Sequence, residues 1–367
     1  MVRTFDLQES QLKRIEELAN EDGVSFDHWI SSAIAQKIKA SKNKTKPLRV
    51  SEIKHILTED VDVTQRFDVK ILDEYVNTCV TAAKDALQSA VPPGFSDFNR
   101  EILQHMIEGL RSAHESIRKL LREEPSASSV DAMTIARLQV ETLYSFCFML
   151  QDAKNVSLFL KGGWKKQYIR FLMMREEWIN IPRSFEFLNM DGVQYHEKTR
   201  KLLGVSDAEK LTIESEELGT TMPTGIEKEV IRGFPTPGKI IDKIVNPDQK
   251  SMLERLYPEY QWLCSFAHGD QNASFCRTVL DQRSPQAKLI DPEKRADLFQ
   301  RHIAEDSVLY SAISAVQAAT ELAVIYPHDV ELMVKVSTAW SGLTKFTLLS
   351  RSVWERRAKK ILPLISV

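Results

Sequence analysis

A chain of 367 residues, 27% charged and 43% hydrophobic with a formal net charge of −2, is long enough for a substantial core and more than one folding unit. That charge balance excludes nucleic-acid affinity spread over the whole molecule, so any such affinity has to come from a local patch. Cys79, Cys147, Cys264 and Cys276 lack CxxC spacing, the opening MVRTFDLQES is polar, and the longest apolar run is Leu143 to Leu150; these features predict a cytoplasmic protein with no metal, cofactor, disulfide framework or membrane span.

Residues 2–7, VRTFDL, are short, rich in β-formers and alternate in character, which predicts a strand. Leu12, Ile15, Leu18 and Ala19 then share one helical face, and Gly23 supplies a left-handed C-cap after Asn20-Glu21-Asp22. Ser25 stands where an N-cap is wanted, and Phe26, Trp29, Ile30, Ala33, Ile34 and Ile38 form the stripe of a second helix. One strand and two short helices cannot bury that much apolar surface, and a lone strand leaves its backbone groups unpaired. Both deficits vanish if two copies pair strands and interlock helices. Residues 1–42 are therefore expected to make a homodimer through the strand.

The run TFDLQESQLKRIEELANEDGVSFDHWISSAIAQKI resembles ribbon-helix-helix proteins of the Arc and HicB-antitoxin type, especially over GVSFDHWISSAI. The resemblance implies that alternate strand residues enter the major groove of DNA while the others pack inward. Phe5 and Leu7 would face the core, with Val2, Thr4 and Asp6 outward and Arg3 at the ribbon end. Asp6 departs from the pattern, which favours Arg, Lys, Asn or Gln at outward positions. Lys37, Lys39, Lys42, Lys44, Lys46 and Arg49 follow in a stretch without an acidic residue. That stretch is either a phosphate-contacting surface for DNA or RNA, or a solvated linker over residues 43–60.

Residues 61–367 read as one all-α, bundle-like domain, so the expected fold class is mainly α. Helices are predicted at 65–90, 97–123, 130–160, 164–179, 250–268, 294–326 and 329–361. Breakers at Pro92-Pro93-Gly94, Pro125-Ser126, Gly162-Gly163 and Pro327-His328-Asp329 separate them. The glycines and prolines between about 180 and 245 predict an irregular stretch, as an extended wrap, a lid or a partly disordered segment.

Two constellations carry chemistry. Arg137 and Glu141 stand four apart in ARLQVETLYSFCFML, and Tyr260, Cys264 and His268 recur every four residues in YPEYQWLCSFAHGD, so each set shares a helix face. This order of R-x3-E and a later Y-x3-S-x3-H resembles the bacterial family of unknown function DUF5677, with Cys264 in place of its Ser. The resemblance spans about 100–280 and implies a helical fold. Two readings stand side by side: an ion pair with a hydrogen-bonded core histidine, or a polar pocket in which His268 acts as acid or base, Glu141 orients it and Arg137 binds an anion. Arg100 and His105 form an R-x4-H motif similar to that of HEPN ribonucleases, with Glu101 where those carry Asn, Asp or His. GxGxxG, Walker A, GxSxG and HExxH signatures are absent from the sequence. Gly162-Gly163-Trp164-Lys165-Lys166 reads as a helix start that either cups an anion or is a plain helix boundary.

The whole reads as a dimeric nucleic-acid-binding protein with a helical effector or sensor domain, suited to regulatory, toxin–antitoxin or phage-defence work. The alternative is a HEPN-like ribonuclease or toxin whose N-terminal module only dimerises or autoregulates.

Overall fold

The computed structural model of the protein describes residues 69–123, 125–174, 190–267 and 304–362. The predicted strand and helices of residues 1–42, the basic tract, His268 and Cys276 lie outside the described residues. Within them the protein is helical without a strand, as the periodicity of the large domain predicts.

α1 (Val69–Ser89) buries Leu72, Val76, Cys79, Val80, Ala83 and Leu87 along one face. α2 (Asp97–Glu123) follows a turn in which Gly94 takes φ 81°, a conformation glycine adopts without strain. Its buried positions Leu103, Ile107, Leu110, His114, Ile117 and Leu121 step alternately by four and three, so His114 occupies a place in the apolar stripe. α3 (Pro125–Met149) begins on a proline, whose missing N–H is no loss at the first helical position. Its last turns, from Leu143 to Met149, are buried all round.

The centre is α9 (Glu305–Ile325), in which every residue from Ser307 to Ala323 is buried. α9 is long and apolar enough to cross a membrane by length and composition, yet 89% of that window is buried inside the protein. α1, α2, α3 and α10 (Val330–Leu343) pack around it. Its hydroxyls find partners inside the core: Ser314 donates to the Tyr310 carbonyl at 2.7 Å, and Thr320 Oγ1 accepts the indole N–H of the fully buried Trp340 at 2.9 Å. Burying a polar group is tolerable only when it is hydrogen-bonded in this way.

α8 (Pro247–Ala267) lies along α3. The predicted single helix over 329–361 is interrupted: Thr347 caps a new helix, α11 (Leu348–Val353), which continues through a π turn, Trp354–Ala358, into Lys359–Ile361. The wider turn presents Arg357 to the core. Arg357 Nε and Nη2 reach Glu321 at 2.9 and 2.7 Å, and Gln249 and Gln317 donate to the same carboxylate at 2.8 and 2.7 Å.

Two further sequence expectations are corrected. Gly162-Gly163 does not break a helix: α4 (Ala153–Met173) runs through it, and the break falls earlier, where Asp152 caps the Lys154 amide. Gly162 and its neighbours therefore lie mid-helix, not at a helix start, so no ring of free amides cups an anion there. The missing side chain at Gly162 instead admits another segment, since a Cβ there would stand 3.4 Å from the Phe234 backbone nitrogen. The Phe234 ring then meets Phe148 and Phe159 edge-on at 5.7 and 5.0 Å.

The second correction concerns 180–245. Its described part holds α5 (Gly192–Leu202), α6 (Asp207–Leu218) and α7 (Pro237–Lys243). The residues read as breakers are the punctuation of short helices. Asp191 caps α5, Ser206 and Glu209 form a capping box on α6, Gly219 ends α6 at φ 64°, and Pro237 opens α7. The second half of α4, the α5–α6 connection, α6 and Ile231 share a small separate core of Trp164, Tyr168, Phe171, Leu172, Val205 and Ile213.

Candidate functional site

The residues singled out on two separate helices meet. α3 and α8 pack side by side, and Arg137 Nη2 lies 2.8 Å from Glu141 Oε2 and 3.3 Å from the Tyr260 hydroxyl, to which it donates. Its guanidinium carbon stands 5.6 Å over the Tyr260 ring, a cation–π distance. Burial opposes the charge on Arg137, but hydrogen bonds to Tyr260 and Cys264 and the Glu141 carboxylate keep it firmly protonated. Burial pushes the Tyr260 phenol up to about 12 against the pull of Arg137, so at neutral pH it is a hydrogen-bonding group and not a base. The cluster ties two helices together and leaves Arg137 Nε without a hydrogen-bond partner among the described residues. His268, which would complete the acid–base reading, lies beyond the described end of α8.

Arg100 and His105 sit on α2. Arg100 Nη1 pairs with Asp97 at 3.1 Å, and His105 is exposed. Five residues along a helix turn a side chain by roughly 140°, so one chain does not bring these two together. Val2, Arg3, Thr4, Lys37, Lys39, Lys42, Lys44, Lys46 and Arg49 lie outside the described residues.

A second polar centre has no signature in sequence spacing. His114 of α2 is 2% exposed. Its Nδ1 lies 2.7 Å from the hydroxyl of Ser311 on α9, and its Nε2 lies 3.0 Å from Asp73 Oδ1 on α1. Arg118 Nε donates to the same Asp73 oxygen at 2.8 Å, and Arg122 Nη2 stands 3.8 Å from the other. Burial alone would raise the Asp73 carboxyl; hydrogen bonds from His114 and Arg118 outweigh it and hold the group below its usual value.

The order serine, histidine, aspartate matches the hydrogen-bond chain of serine hydrolases, but the chemistry does not follow. Ser311 is wholly buried in the middle of α9, where no substrate carbonyl can approach its oxygen. The array instead anchors Asp73 from behind. The one sequence signal for it is a histidine inside the apolar stripe of α2, a polar group that has to find a partner.

A third feature lies in the small core. Trp164 stacks on Tyr168 at 4.7 Å, and the His196 ring packs 4.8 Å from Phe171 and 5.4 Å from Tyr168. Burial among these rings lowers His196 to about 4, so it is neutral at pH 7. The Tyr168 hydroxyl donates to Glu214, at the edge of a small cavity of about 140 Å³. Comparison with family models, with curated proteins and with solved structures finds nothing that matches this chain.

Proposed function

We propose that the protein is a homodimeric nucleic-acid-binding protein in which residues 1–42 form a ribbon-helix-helix module, the tract from Lys37 to Arg49 contacts phosphates, and the helical domain acts as an effector or ligand sensor. One observation carries this reading. A segment whose sequence pattern predicts one strand and two helices, with more apolar surface than they could bury alone, is followed at once by six basic residues and no acidic one. Phosphate neutralisation by such a tract is salt-dependent, with the logarithm of affinity falling by about 0.9 per phosphate for each logarithmic unit of salt.

The test is a mobility-shift titration over a range of salt with duplex DNA and with RNA. The expected outcome is a salt-sensitive shift that disappears when residues 1–49 are removed and weakens in the full chain carrying Lys42→Glu, Lys44→Glu and Lys46→Glu. Unchanged binding by the truncated chain would sink the proposal. Dimerisation has its own check. Phe5→Glu places a charge at the predicted inward strand position and is expected to give monomers by light scattering; dimers that persist would remove the shared ribbon.

A further inference from the structure

The geometry points to a phosphate-binding pocket between the first turns of α1 and the last turns of α2, and, resting on the function proposed above, to nucleic-acid backbone as the source of the phosphate. A cavity of about 500 Å³ opens there, lined by Asp73 and Asn77 from α1 and by His114, Arg118, Lys119 and Arg122 from α2. The volume falls in the range of ligand-binding clefts. Glu115 also borders it, 4.0 Å from Arg111 on the next turn. The wall thus carries three permanent cations against two carboxylates, and Arg111, which holds Glu108, stands at the edge of pairing distance from Glu115.

Asp73 organises these cations more than it cancels them. It is fixed from behind by His114, itself fixed by Ser311, and both of those side chains are buried. From the front it grips Arg118 through Nε and stands near Arg122. A guanidinium whose plane is set by a rigid carboxylate is preorganised for planar, two-point recognition of a phosphate, and little side-chain entropy is left to lose on binding. The rim cation Arg122 is 69% exposed and Arg118 only 16%, so one group is held and the other can swing onto the ligand.

The lining also says what is not recognised. Among the described residues that line it none is Phe, Tyr or Trp, so they offer no platform on which a base could stack. The ligand is read through its phosphates. Arg49, the last residue of the basic tract, precedes Val69 at the start of α1 by twenty residues, which tethers that tract to the pocket through a short stretch of chain.

The full-length protein is titrated with pyrophosphate by calorimetry and with labelled DNA and RNA oligonucleotides by anisotropy, as wild type, Arg118→Gln and Arg122→Gln. Thermal melting and circular dichroism check the fold of each variant. Wild type is expected to bind pyrophosphate, and each variant to bind about tenfold more weakly, the effect of losing one charge-assisted pair. Oligonucleotide affinity falls in parallel, and the salt slope shrinks by about one. Arg122→Gln guards against misfolding, because its exposed side chain contributes little to the core. Absence of pyrophosphate binding to wild type, or binding by both variants as tight as that of wild type, overturns the pocket. Weakened pyrophosphate binding with unchanged oligonucleotide binding keeps the pocket, overturns backbone as the source and assigns a small phosphorylated ligand. Loss of oligonucleotide binding in the pocket variants alone, with none on altering residues 37–49, upholds the pocket and overturns the assignment of the basic tract.

Discussion

Glu321 and Arg357 meet with 2% and 7% of their side chains exposed. Taking two charges out of water is expensive, and their mutual attraction together with the amides of Gln249 and Gln317 offsets that cost. Removing one partner leaves the other charge buried and unpaired. Glu321→Ala is therefore expected to cost about 3–5 kcal/mol in urea unfolding, whereas Glu321→Leu combined with Arg357→Met recovers most of it; equal losses in single and double variants would contradict this. His196 makes a pH-dependent contribution of the opposite origin. An unfolded chain takes up its imidazole proton near 6.5, while native His196 does so only near 4. Between those values the unfolded state binds more protons, so the contribution is whole above about pH 6.5 and is lost as pH falls toward 4. His196→Phe keeps a ring among Trp164, Tyr168 and Phe171 and is expected to flatten the melting temperature across that window relative to wild type. A parallel profile would show that another group sets the acid limb.

At the scale of elements, helix faces were legible and, α2 apart, most helix ends were not. The stripes of α1 and α2 are written in three- and four-residue steps, and α2 falls on the predicted 97–123. Gly162-Gly163 misled because glycine marks either a helix end or a place where another segment must come close, and spacing alone cannot tell which. The two glycines separate cleanly by experiment. A Cβ on the exposed Gly163 meets nothing within 4 Å, whereas one on Gly162 meets Phe234. Gly163→Ala is expected to stabilise the protein by about 0.5–1 kcal/mol, read as a higher urea midpoint with an unchanged slope. Gly162→Leu has to displace Phe234 from between Phe148 and Phe159 and is expected to destabilise by about 1–3 kcal/mol. The same ambiguity hid α5 and α6, whose capping residues Asp191, Ser206 and Gly219 look like loop composition when read in a row.

Across the whole molecule, the local arithmetic of helices determined what one segment could show. Period gave the mainly α class, and the four-residue spacing of Arg137 with Glu141 and of Tyr260 with Cys264 gave shared faces, because a helix puts such positions on one side whatever surrounds it. The apolar excess of the first forty residues is likewise a sequence property, and the partner strand proposed above rests on it alone. Tertiary structure alone decided which faces meet. It put α9 at the centre, where 89% of its apolar window is buried among the other helices, and it turned Arg137 toward Tyr260 across α3 and α8. It also assembled Asp73, His114 and Ser311 from positions 41 and 197 residues apart. Periodicity reports only contacts repeated along one helix, and a hydrogen bond between helices far apart in the chain leaves no period to read.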